Sequence, residues 1–173
     1  DDGGDLPWFK DEAKIGQVVH EIKKTYSLLL LDEPEIRIHF NSRSEALESL
    51  FPEMYECSGA DSKALDLRPR LKAFDLEMDA GGGLKRPVTV QIWMACRTSV
   101  GVSGAGKYWG IDLYGNDRLF KVNAEEIFGR YYQGGNARFY FRGFVNIIGP
   151  NVFVPWDTHK RHVNIDHPMA KLL

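Results

Sequence analysis

Strand-period and helix-period stretches follow one another along this chain, and none can bury its apolar face alone. Residues 35–40 alternate strictly, with Ile36, Ile38 and Phe40 on one side and Glu35, Arg37 and His39 on the other. Ser42-Arg43-Ser44-Glu45 follows in the form of a capping box, and Ala46, Leu47, Leu50 and Phe51 supply the buried stripe of a helix over 44–55, with Met54 and Tyr55 packing beyond Pro52. Phe74, Leu76 and Met78 alternate with Asp75, Glu77 and Asp79, which predicts a half-buried strand. Gly81-Gly82-Gly83 reads as a turn, and residues 88–96 form the clearest strand. Strands are also expected over 108–114 and 119–122, around the turn Gly115-Asn116-Asp117. Asn123, with Glu126 three residues on, predicts a capped helix to Tyr132 with Ile127, Phe128 and Tyr131 inward. A hairpin is expected last, running over 139–148, turning at Gly149-Pro150-Asn151 and returning through Val152-Phe153-Val154.

Ahead of these elements, Ile15, Val18, Val19, Ile22 and Tyr26 recur at helical spacing from Asp11, with Lys10, Lys14, Lys23 and Lys24 near the opposite face. Residues 27–31 read as a short buried strand. The expected fold class is α+β, a mostly antiparallel sheet flanked by two or three helices. The expected organisation is a flexible leader over 1–9, one globular domain over 10–156 and a polar C-terminal tail over 157–173.

The chain has 173 residues and 43% hydrophobic side chains, enough for one domain with a real core. A net charge of −2 argues against nucleic-acid binding over the whole surface, so basic contacts would have to be local. Cys57 and Cys96 are too few for a disulfide framework and read as small buried side chains in an intracellular, reducing compartment. No apolar run approaches the ~20 residues of a membrane-spanning helix. The acidic start, Asp1-Asp2-Gly3-Gly4-Asp5, is not a signal peptide and reads as an internal start.

Gly101-Val102-Ser103-Gly104-Ala105-Gly106-Lys107 matches part of a phosphate loop, but Tyr108 stands where the metal-binding hydroxyl belongs and a strand follows where a helix must begin. A glycine-rich hairpin loop accounts for the same residues. Asp157, His159, His162, Asp166 and His167 could supply zinc ligands, yet Lys160 and Arg161 would repel the cation and no second cluster closes the site. Asp75, Glu77 and Asp79 read as a solvated face, and His20 has no paired nucleophile. The chain is therefore expected to be non-catalytic, with no cofactor and no bound metal.

Leu6-Pro7-Trp8-Phe9 has the character of a docking peptide that either folds back on its own domain or inserts into a neighbouring copy: proline pre-sets an extended backbone and two aromatics fill a pocket at small entropic cost. The order of elements over 35–156 resembles the globular core of rhabdovirus matrix proteins, from the strand at 35–40 and helix at 44–55, through the strands at 74–78 and 88–96, to the helix at 123–132 and closing hairpin at 139–154. The resemblance implies a self-associating structural protein that bridges nucleocapsid and membrane, in the virion and at the inner face of the host membrane. It implies that Leu6, Pro7, Trp8 and Phe9 dock onto another copy. Lys10, Lys14, Lys23, Lys24, Lys85 and Arg86 would meet lipid or nucleoprotein, without reading a nucleic-acid sequence. The alternatives are an intracellular protein-binding module, or a nucleotide- or metal-binding enzyme.

Overall fold

A computed structural model describes residues 11–33, 37–38, 46–51, 54, 70–96, 110–129, 141–160 and 162–173. The leader with Leu6, Pro7, Trp8 and Phe9, Lys10, the capping box at 42–45, Cys57, the glycine loop at 101–107, and Tyr131 and Tyr132 lie outside those residues. So does most of the expected strand at 35–40, of which residues 37 and 38 carry no ladder.

Helix α1 spans Glu12–Thr25 and begins where the sequence puts its start: Asp11 Oδ1 accepts from the amides of Ala13 (3.1 Å) and Lys14 (3.2 Å), and Lys23 and Lys24 sit favourably in the last turn. Ile15 is its buried anchor. Residues 27–31, expected as a strand, are helical: α2 spans Ser27–Asp32, and Leu30 N and Glu33 N donate to the carbonyls of Tyr26 and Leu29. The run Leu28-Leu29-Leu30-Leu31 contains no β-branched residue, and leucine is a strong helix former. A short apolar run has no period of its own to decide between the two states.

The sheet contains β1 (Arg70–Asp79), β2 (Lys85–Cys96), β3 (Gly110–Gly115), β4 (Arg118–Lys121) and β5 (Phe141–Ile148), in the order β1-β2-β5-β3-β4. All neighbours are antiparallel except β3 and β5, so the sheet is mostly antiparallel and the fold is α+β. Between β3 and β4, Asn116 and Asp117 both take positive φ (49° and 62°), the geometry that matches a two-residue hairpin to strand twist. The expected closing hairpin does not form. β5 already has β2 on one side and β3 on the other, which leaves no edge for a return strand. Residues Asn151–Phe153 instead make a 3-10 turn that drives Phe153 and Val154 into the core. Gly143 allows the close approach of β5 to β2, since a Cβ there would sit 2.5 Å from the Trp93 carbonyl oxygen.

Period-two alternation sends side chains to two cores, one on each sheet face. On one face Val88, Val90, Leu113, Val145 and Ile147 pack with Ile127, Phe128, Phe153 and Val154. On the other, Trp93, Tyr114 and Phe144 pack with Leu28, Leu50, Phe51 and Met54. Trp93 and Phe144 stack with ring centroids 6.0 Å apart, and Phe51 meets both rings edge-on.

The second expected helix is displaced at its start. α3 spans Glu125–Phe128 with Ala124 at its cap, whereas Asn123 has a φ of 47° and donates its backbone N–H to Asp112 Oδ1 (2.8 Å). Ile127 and Phe128 are buried as expected, and Glu126 turns to Lys121 rather than to a cap amide. The stretch 157–173 is not a free tail. Trp156 bridges to Val163, and α4 (Pro168–Leu172) places Met169 and Ala170 in the core. Its polar residues make the turns and cap that fold it back. The Met169 amide donates to His167 Nδ1 (3.1 Å), which leaves Nε2 to donate to the Val152 carbonyl (2.8 Å). Finally, β1 is less buried than its alternation predicts: Phe74 is 46% and Leu76 36% exposed, because among the described residues β1 is an edge strand that no helix covers.

Candidate anion-binding cleft

Helix α1 crosses the far edge of the sheet beside β4, and between them opens a cleft of about 390 Å³. Its wall carries Lys24, Arg118, Lys121 and Lys160, with Glu21 the one carboxylate among the lining residues. The fold delivers each cation from a different element. Lys24 comes from the last turn of α1, with its ammonium 3.5 Å from Glu21 Oε2. Arg118 is the first residue of β4, directly after the Asn116-Asp117 turn. Lys121 ends β4 and lies 2.7 Å from Glu126 Oε1. Lys160 stands in the turn after Trp156 with a φ of 55°, its ammonium 4.4 Å from the centre of the Trp156 ring.

Four cations against the carboxylates of Glu21 and Glu126 leave a surplus of two positive charges. Arg118 Nε is buried and has no hydrogen-bond partner among the described residues. A buried donor without an acceptor costs about 1–3 kcal/mol. The arrangement suits an oxyanion such as a phosphate group. An apolar groove of about 380 Å³ continues from it along α1, lined by Val18, Ile22 and Tyr26 and sharing Arg118.

Of the basic residues expected to meet an anionic partner, the structure brings Lys24 to this cleft. Lys14 pairs with Asp11 at 3.3 Å, and Lys23 is half-buried on α1. Lys85 and Arg86 are exposed at the start of β2, toward the other edge of the sheet, where Lys85 lies 3.9 Å from Glu77. Arg118 and Lys121 escaped the sequence reading because each is a single cation within a short strand, and nothing in the spacing joins them to Lys24 or Lys160.

Two of the acidic candidates on β1 take structural roles. Asp75 accepts from the Thr89 hydroxyl (2.7 Å), and Asp79 accepts from the Gly81 amide (2.7 Å) to set the turn. Among the described residues no three of His, Cys, Asp and Glu gather as metal ligands. No described helix is long and apolar enough to cross a membrane.

The fold and the cleft together define an α+β domain with a basic pocket beside one sheet edge. Comparison with known proteins adds no relative, since no protein-family model, no curated protein and no solved structure matches this chain.

Proposed function

We propose that the chain is a non-catalytic, self-associating structural protein of the viral matrix type, bridging a nucleocapsid and an anionic membrane surface. The observation that carries this reading is the convergence of Lys24, Arg118, Lys121 and Lys160 on one cleft of a chain whose net charge is −2. Local cationic surplus on a nearly neutral protein favours a salt-sensitive contact with anionic headgroups over general adhesion to polyanions. Self-association is assigned by its chemistry to Leu6, Pro7, Trp8 and Phe9, which lie outside the described residues.

The test is co-sedimentation with vesicles containing phosphatidylserine, alongside neutral vesicles, as salt is raised. Binding is expected to the anionic vesicles alone and to fade with salt. Each lysine near such a surface contributes about 1 kcal/mol, so Lys160→Glu, which swings two charges, should weaken binding roughly thirty-fold. Equal binding to neutral vesicles, or no loss in Lys160→Glu, would refute the cleft as the contact. Analytical ultracentrifugation over a range of concentrations tests assembly, with Trp8→Ala expected to shift it toward monomer. A protein that stays monomeric throughout would favour the rival, an intracellular protein-binding module.

A further inference from the structure

We infer that the basic cleft and the apolar groove beside it form one site for an anionic membrane phospholipid, whose headgroup meets the cations while one acyl chain lies along α1. This rests on the membrane contact proposed above and names the molecule that makes it.

The first observation is that α1 does not bury its apolar stripe. Of Ile15, Val18, Val19, Ile22 and Tyr26, only Ile15 is buried. Val18, Ile22 and Tyr26 stand four residues apart, so they form a single row along the helix. That row lines the groove of about 380 Å³, and each of its three side chains is half-buried.

The second observation is continuity. Groove and cleft share Glu21, Thr25 and Arg118, so the apolar row runs directly into the cationic wall. Glu21, the carboxylate at that junction, is held by Lys24 (3.5 Å), and Lys121 is held by Glu126 (2.7 Å). Arg118 and Lys160 keep their charges without a carboxylate partner among the described residues. The depression is thus two-ended, net positive at one end and apolar at the other.

The two ends together select the ligand. Cations alone would accept any anion, and an apolar row alone would accept any hydrophobe. Their contact favours a molecule in which an anionic group and a hydrocarbon chain are joined. A peptide laid across the row would bring amides and carbonyls that the helix cannot pair, because the α1 backbone bonds within itself. An acyl chain brings none. Each methylene taken fully out of water raises affinity about four-fold. An open groove that covers about half of each still gives roughly sixteen-fold over four methylenes.

Titration calorimetry of the full chain with butyl and octyl phosphate, both below micelle-forming concentration, tests this. The two share a headgroup and differ by four methylenes. Octyl phosphate is expected to bind at least ten-fold tighter, and the ratio should hold as salt weakens both. Val18→Asn and Ile22→Asn should each bring the ratio below three-fold, so either variant serves if the other fails to fold. Ile22→Asn should also lower co-sedimentation with phosphatidylserine vesicles at least three-fold, although no charge changes. Failure of both alkyl phosphates and of the anionic vesicles sinks the cleft reading itself. Equal binding of the two alkyl phosphates, or of neither while the vesicles still bind, overturns the groove and leaves the cleft standing. A chain-length effect that emerges only when Leu6, Trp8 and Phe9 are replaced by serine gives the groove to the leader and overturns the inference. So does a ratio lost in Ile22→Asn with vesicle binding unchanged, which would make the ligand a free single-chain amphiphile.

Discussion

Asp112 and Arg142 form an ion pair of 2.7 Å between side chains that are both fully buried. β3 and β5 are parallel neighbours, so the two charges stand on one sheet face. The remaining valences are used: Arg142 Nε donates to the Met54 carbonyl (2.8 Å), and Asp112 Oδ1 accepts from Asn123 N (2.8 Å). One pair thus fastens β3, β5, the segment at Met54 and the approach to α3. Removing one partner leaves a buried charge uncompensated, so Arg142→Met should destabilise by about 3–5 kcal/mol in urea unfolding. The double variant Arg142→Met, Asp112→Leu should recover much of that loss. A double variant no more stable than the single would show that position-specific packing, not charge, dominates there.

The C-terminal stretch gives a second prediction. Met169 is fully buried in the core cluster with Phe153 and Val154. Met169→Ala should cost about 2–5 kcal/mol, as for other buried large-to-small changes. His167→Ala should cost about 1 kcal/mol through loss of the cap on α4. A polar tail would give no change for either, so unaltered urea midpoints would contradict the packing.

What was legible in the sequence was what local chemistry decides. Asp11 and the spacing of Ile15, Val18 and Ile22 mark α1, alternation marks β2, and Asn116-Asp117 marks the β3–β4 hairpin. Apart from the leucine run at 27–31, where a short apolar stretch has no period to decide its state, the failures share one cause: neighbours in space decide them. Nothing near Val152 says that β5 has no free edge. Met169 and Ala170 are lost among polar residues that turn out to serve turns and a cap. Asp112 and Arg142 look like outward charges in alternating strands until β3 and β5 are set side by side. The cleft is the extreme case, because its cations come from α1, β4 and the turn at Lys160.

Asp32 supplies a pH dependence. Desolvation raises its carboxyl above the ordinary range, and the nearby Asp117 and Glu33 carboxylates push the same way. Such a group is less favourable as an anion in the folded chain than in the unfolded one. It therefore subtracts stability above its unfolded value and stops doing so as pH falls below it. The residue is exposed, and solvent screening holds the effect to a few tenths of a kcal/mol. Asp32→Asn is expected to raise Tm by about 1 °C at pH 7, with the gain vanishing toward about pH 4. A gain that grows as pH falls would reverse the assignment.

Arg118 connects stability to the proposed contact. Its Nε is buried without an acceptor, and its charge shares a cleft with Lys24, Lys121 and Lys160. Both features cost stability in the protein alone, and the repulsion among the four cations is relieved when an anion enters. Arg118→Leu should therefore raise the stability of the isolated protein by about 1 kcal/mol at low salt, since it removes an unsatisfied donor and one of four like charges. The same change should weaken binding to phosphatidylserine vesicles, because the cleft loses one of its four cations. Adding inorganic phosphate should stabilise the parent more than Arg118→Leu, a difference read directly from paired thermal melts. A site kept for packing alone would lose stability on this substitution and show no difference with phosphate. A gain in stability joined to a loss in binding is the signature of a residue held in place by its ligand rather than by the fold.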